Sequence, residues 1–246
     1  MKEKRKGTHE KMFSVALIGA DGAGKTTVAR HLEARQEMPV RYLYMGVSKS
    51  SSNRMLPTTR LMLALKRAAG RDDDEGGPPN PARQARPARG WRRLLRSGKR
   101  ALSLANRLAE EGYRALLATH YRRQGYIVLF DRHFYSDYYA HDIVGNGHQT
   151  RWRRIHGLFL NHFYPKPDYL ILLDAPAPVL HARKGEGTVE LLERRRAEYW
   201  QLREQVPYFS VVDATQPQEA VVQQVTDLIR NFQKQQREPI VGGVED

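Results

Sequence analysis

The chain contains no cysteine. That absence excludes a disulfide framework, a thiolate metal site and a cysteine nucleophile. It also lacks any apolar run near the ~18 residues that a membrane-crossing helix requires. At its start a basic stretch, MKEKRKGTHEK, leads into the apolar MFSVALIGA, an order that also opens secretory leaders. The motif beginning at Gly19 is far stronger than any cleavage site here, which favours a solvated tail entering a buried strand, in a cytoplasmic protein. Acidic residues are scarce: 27 Asp+Glu stand against 41 Lys+Arg, a formal net charge of +14, with a sequence pI near 10.1. Such a field attracts phosphate groups on nucleotides, nucleic acid or a membrane surface without choosing among them. No internal repeat is present. At 246 residues the chain can bury a core without covalent staples.

The remaining pattern is alternation. Short apolar segments at Phe13 to Ile18, Val40 to Met45, Tyr126 to Phe130, Tyr169 to Leu173 and Phe209 to Val212 predict five strands. Helical patterns cover Lys25 to Arg35, Arg92 to Arg123, Arg151 to His162, Val189 to Gln205 and Gln218 to Lys234. Continuous apolar strands between helices predict an α/β fold around a buried parallel sheet. Residues 71–90, RDDDEGGPPNPARQARPARG, are too rich in Pro, Gly and charge to add to a packed core and read as a flexible insertion. The expected organisation is a basic tail over 1–11, one domain over 12–234 and a C-terminal tail over 235–246.

Gly19-Ala20-Asp21-Gly22-Ala23-Gly24-Lys25-Thr26 matches the pattern G-x-x-x-x-G-K-[ST], and it lies between an apolar strand and a helix start, as the mechanism demands. Glycines let backbone N–H groups turn inward around phosphate oxygens, supported by the positive end of the helix. Lys25 is expected to reach the β- and γ-phosphates of ATP, and the Thr26 hydroxyl to ligate Mg2+. A nucleotide site over Gly19, Asp21, Gly22, Ala23, Gly24, Lys25, Thr26 and Thr27 follows.

These residues carry a resemblance. GADGAGKTT, Gly19 to Thr27, is similar to the phosphate loop of thymidylate kinases, including the acidic third position. Asp131-Arg132-His133, with Ser136 beyond, resembles their Asp-Arg motif after the third strand; Pro167-Asp168 followed by YLILLDAP resembles their fourth strand. Leu191 to Tyr199 (LLERRRAEY) resembles the helix after their lid, and Val212-Asp213-Ala214 the turn near the adenine. The likeness spans about Phe13 to Leu228 in the right order. It implies a P-loop kinase fold with a five-stranded parallel sheet ordered 2-3-1-4-5 and a short lid. It implies that Arg132 grips the anionic group of the acceptor, and that Asp131 helps to organise Mg2+ or the acceptor. Two departures fall on the acceptor side. Tyr44-Met45-Gly46-Val47-Ser48-Lys49 stands where the family has Arg-Glu-Pro-Gly-Gly-Thr, and Ala140-His141 stands where it has Tyr-Gln.

Several residues admit two readings. Asp131 and Arg132, leaving the carboxyl end of a buried strand, lie beside the ligand crevice of an open α/β sheet, or form a strand-end ion pair. Asp21 either makes a turn or faces the acceptor; with a hydroxyl acceptor, Asp21 or Asp131 could serve as general base, whereas a phosphate acceptor needs none. Arg183 and Lys184 precede the small turn Gly185-Glu186-Gly187, where a cation could close over the γ-phosphate, or they merely decorate a helix end. Arg194 and Arg196 on the next helix are candidates for the same role. His133, Asp137 and His141 have helical spacing that suits a metal, but equally one polar face of a helix, which is preferred over zinc. Tyr135, Tyr138 and Tyr139 either stack on an acceptor ring or pack. Arg83, Arg86, Arg89, Arg92, Arg93, Arg96, Lys99 and Arg100 form an acid-free stretch read as a solvated face with weak, non-specific polyanion binding.

The expected function is ATP- and Mg2+-dependent phosphoryl transfer to a small acceptor, a nucleoside monophosphate such as dTMP first; a homodimer is compatible with the sequence. The alternative within enzymes is a kinase acting on a hydroxyl of a nucleoside, a sugar or a polysaccharide- or glycolipid-pathway intermediate. The alternative of another class is a nucleotide-binding regulatory or nucleic-acid-associated protein.

Overall fold

A computed structural model describes residues 12–45, 55–68, 91–131, 133, 157–159, 162, 166–185 and 187–237. Five strands, β1 (Ser14–Ile18), β2 (Val40–Tyr44), β3 (Ile127–Asp131), β4 (Tyr169–Asp174) and β5 (Phe209–Asp213), form one parallel sheet in the order β2-β3-β1-β4-β5. This is the expected order. Every residue of β1 and β3 is buried, because helices cover both faces of the sheet, so these strands are apolar throughout rather than alternating.

Helices among the described residues include α1 (Lys25–Arg35), α2 (Pro57–Ala68), α3 (Trp91–Arg123), α4 (Ala177–Lys184), α5 (Val189–Gln201) and α6 (Gln218–Arg237). The pattern over Val189 to Gln205 resolves into α5 followed by a tighter 3-10 turn, Leu202–Gln205. α2 was absent from the sequence expectation, and α4 entered it only as the helix end read at Arg183 and Lys184. Each starts beside a proline that favours the first helical turn, Pro57 and Pro176. Most of the helix expected over Arg151 to His162, the insertion over 71–90 and the residues from Phe134 to His156 lie outside the described residues.

Two polar clusters fix the frame. At the amino edge of the sheet, Asp168 Oδ2 accepts from the Ser14 amide at 2.8 Å and the Ser14 hydroxyl at 2.7 Å, joining the start of β1 to the approach to β4. Beside the sheet, the buried Glu110 of α3 accepts from Arg114 Nη2 at 2.9 Å, Thr59 Oγ1 at 2.7 Å and the Leu56 amide at 3.0 Å, holding the first turn of α2 on α3. A buried carboxylate is tolerable because the adjacent guanidinium and two neutral donors replace its water. At the same amino edge, α6 buries Val221, Val222, Val225, Ile229 and Phe232, and Phe232 meets the rings of Phe13, Tyr169 and Tyr208, each at 4.8 Å. Among the described residues no helix is long and apolar enough to cross a membrane.

Candidate active site

The carboxyl ends of β1, β3 and β4 converge, and the sequence places a loop or a carboxylate at each. From β1 the chain turns through Gly19 to Gly24 into α1. The turn requires glycine at two close approaches. A Cβ on Gly19 would stand 2.4 Å from the Leu173 carbonyl oxygen, and one on Gly22 would stand 2.6 Å from that of Leu180. Both glycines also have positive φ, 145° and 91°. The loop is thereby pressed between the end of β4 and the body of α4. Lys25 is buried, and its Nζ donates to the carbonyl oxygens of Gly19 at 2.8 Å and Ala20 at 3.0 Å, so the ammonium sits within the curve of the loop.

Asp131 ends β3 one strand away and is fully buried. Its Oδ2 accepts from the Thr26 hydroxyl at 2.5 Å and from the Tyr42 hydroxyl at 3.2 Å. Its Oδ1 is buried with no hydrogen-bond partner. Burial first, and the adjacent Asp131 carboxylate second, push the Tyr42 phenol well above its ordinary range, so it stays a neutral donor. An orphaned carboxylate oxygen beside a threonine hydroxyl is a hard-oxygen donor set, and it fits a divalent cation such as Mg2+.

The third carboxylate, Asp174 at the end of β4, is committed to structure. Arg196 grips it with two parallel hydrogen bonds, Nε to Oδ1 and Nη2 to Oδ2, both 2.8 Å, and also reaches Glu193. These hydrogen bonds raise the Arg196 pKa further still.

The cations at the end of α4 and along α5 take different places. Arg183 Nη1 donates to the Ala214 carbonyl at 2.8 Å, which puts it against the turn after β5. There Asp213 accepts from the Thr215 hydroxyl and amide and from Gln216, and these bonds lower its pKa. Arg194 is 67% exposed and lies 4.0 Å from Glu198 one turn on. Arg195, which sequence reasoning passed over between its neighbours, reaches the phosphate loop: its Nη1 donates to Asp21 Oδ2 at 2.8 Å. Lys184 Nζ lies 3.8 Å from Asp21 Oδ1. The signal for Arg195 was present. Leu192 and Tyr199 are the buried positions of α5, and Arg195 lies three and four residues from them, on the inward face.

His133 is fully buried, its ring 5.1 Å from that of Phe130. Among the described residues no group of three His, Cys, Asp or Glu could hold a metal; Asp137 and His141 lie outside them, as do Arg132, Ser136, Tyr135, Tyr138, Tyr139, Ala140 and the stretch from Gly46 to Lys49. Arg83, Arg86 and Arg89 also fall outside, whereas Arg92, Arg93, Arg96, Lys99 and Arg100 lie along α3.

A parallel sheet in this order, with a phosphate loop leaving its central strand and a buried aspartate ending the next, defines the P-loop kinase class. Comparison with known proteins narrows the class. No family model matches the chain. A thymidylate kinase of Xanthomonas campestris pv. campestris is 31% identical over 218 residues, covering 85% of this chain and 79% of its own. A thymidylate kinase of Xanthomonas oryzae pv. oryzae is 30% identical over 223 residues, covering 87% and 82%. The chain belongs to the thymidylate kinase-like family of P-loop nucleotide kinases.

Proposed function

We propose that the protein transfers the γ-phosphoryl group of ATP to a nucleoside monophosphate, with dTMP the foremost acceptor. The observation behind this is the buried, unpartnered Oδ1 of Asp131, a carboxylate whose other oxygen accepts from Thr26 beside the loop lysine. In this reading the amides of the loop and the first turn of α1 hold the phosphates, and Lys25 moves from the Gly19 and Ala20 carbonyls to the β- and γ-oxygens. Mg2+ would be held by Thr26 and Asp131, and when bound it neutralises charge on the phosphate oxygens. Arg132 would grip the phosphate of the acceptor, as the family resemblance implies. An already ionised acceptor oxygen forms the new P–O bond while the bond to the β-phosphate oxygen breaks, so no general base is needed. Arg195 and Lys184, both held at Asp21, would meet charge on the transferred group. Arg183, which donates from α4 to the turn after β5, would help to shape the nucleotide-base end.

A hydroxyl acceptor is the second reading. It is favoured by the replacement of the family's Arg-Glu-Pro-Gly-Gly-Thr stretch with Tyr44 to Lys49, and by a free carboxylate oxygen that could take a proton. Incubating the full chain with labelled ATP and a panel of nucleoside monophosphates, nucleosides and sugars separates the two. Labelled dTDP is the expected product. Label appearing only on nucleosides or sugars would favour the second reading, and nucleotide binding without transfer to any acceptor would overturn both. Lys25→Ala should reduce transfer by at least about a hundredfold while the circular dichroism spectrum is kept.

A further inference from the structure

We propose that Tyr42 is a positioning residue for the cation-binding carboxylate, an inference that rests on the functional reading above. Asp131 stands at the end of a strand, where a carboxylate can turn about its last torsion and offer either oxygen. Two hydroxyls prevent this by converging on Oδ2, Thr26 from α1 and Tyr42 from β2, and Oδ1 alone is left without a hydrogen bond. The strand register explains why a tyrosine is required. Tyr42 lies opposite Leu129, and Tyr44 lies opposite Asp131. The side chain of Tyr42 must therefore reach along the sheet by one two-residue repeat, about 6.6 Å at 3.3 Å per residue. A phenol spans that distance; serine, threonine or asparagine at the same position would fall short.

The two hydroxyls are not equivalent. Thr26 is shared with the bound cation in the proposed arrangement, so its hold on Asp131 is part of the reacting site. Tyr42 lies beneath the site, only 4% exposed, with its amide fastened to Glu33 Oε1 at 3.1 Å. It can anchor the carboxylate whether or not nucleotide is present. Partners behind a metal ligand of this kind are worth about ten- to hundredfold in metal affinity or activity.

The test is nucleotide binding by calorimetry on the full chain, with ATP in excess Mg2+ and again in EDTA, beside steady-state kinetics. Tyr42→Phe keeps the ring in the core and removes only the hydroxyl. Tyr169→Phe is its control: it also removes a buried hydroxyl, the one donating to Ser210 Oγ at 2.7 Å, at the far end of β4. Tyr42→Phe should weaken binding in Mg2+ about tenfold, leave binding in EDTA unchanged, and lower kcat with little change in the acceptor KM. Tyr169→Phe should alter neither binding condition. Wild-type protein that binds ATP more tightly in Mg2+ than in EDTA, together with a Tyr42→Phe variant that keeps the whole difference, would overturn this inference alone. Equal losses in Mg2+ and EDTA, or equal losses in both tyrosine variants, would also overturn it, since they mark a structural effect. Wild-type protein with no Mg2+ enhancement would overturn the functional reading and this inference with it.

Discussion

The guanidinium of Arg195 on α5 donates to the carboxylate of Asp21 in the phosphate loop across 2.8 Å, and the pair spans 174 positions of chain. Both side chains are largely covered, 23% and 16% exposed, so the contact is screened less than a surface ion pair. It brings α5 onto the loop between β1 and α1.

Arg195→Ala should therefore lower kcat by about a hundredfold or more, the range of a cation that stabilises transferred charge. Arg194→Ala should stay within about twofold of wild type, since its side chain is exposed and its ion pair among the described residues runs along its own helix. Steady-state kinetics on the two variants checks both. Equal losses would assign the effect to the net charge of α5 and not to position.

Backbone approach sets a second expectation. Gly22→Ala places a Cβ against the Leu180 carbonyl and imposes a φ of 91° on alanine, so the loop or α4 must shift. A loss of about 2 kcal/mol or more is expected, which lowers the melting temperature by roughly 4–8 °C in a chain of this size. Gly24→Ala meets nothing within 4 Å and bears only the cost of its φ of 85°, about 1 kcal/mol. Thermal melts of the two variants should rank in that order.

The Asp174–Arg196 pair predicts stability without chemistry. Arg196→Met removes two charge-assisted hydrogen bonds from a carboxylate at the end of β4 that is 15% exposed. The expected cost is about 2 kcal/mol in denaturant unfolding. Nucleotide binding measured below the transition should be preserved, because Asp174 faces α5 and not the loop.

Alkaline pH supplies a fourth check. Burial raises the pKa of Tyr169 above the ordinary 10.0, against the smaller opposite effect of its hydrogen bond to Ser210. Above about pH 10 the unfolded chain releases this proton and the folded chain keeps it. The stability associated with the neutral phenol is thus complete below that pH and is lost as pH rises further. The loss from one such group approaches about 1.4 kcal/mol per pH unit. Urea melts between pH 9 and pH 11 should show a shallower decline for Tyr169→Phe than for wild type.

Much of this was legible along the chain. The five strands announce themselves as apolar runs because a sheet covered on both faces needs no polar alternation. The phosphate loop is contiguous, so its glycines, lysine and threonine specify backbone and chemistry together within Gly19 to Thr26. Asp131 was legible as a carboxylate at a strand end, because strand ends are where a parallel sheet meets its ligand.

Tertiary structure alone decided which side chains meet across the chain. Three consecutive arginines, Arg194, Arg195 and Arg196, are chemically identical in sequence, yet one faces solvent, one grips Asp21 and one closes on Asp174. The 100° step between helical residues separates them, and only the packing of α5 on α4 and β4 decides which direction is inward. Tyr42 likewise reads as a β-forming core residue until the β2–β3 register sets its hydroxyl on Asp131. A sequence specifies contacts reliably where covalent neighbours make them. Partners 89 and 174 positions apart are fixed only when register and helix rotation are set by the packed core.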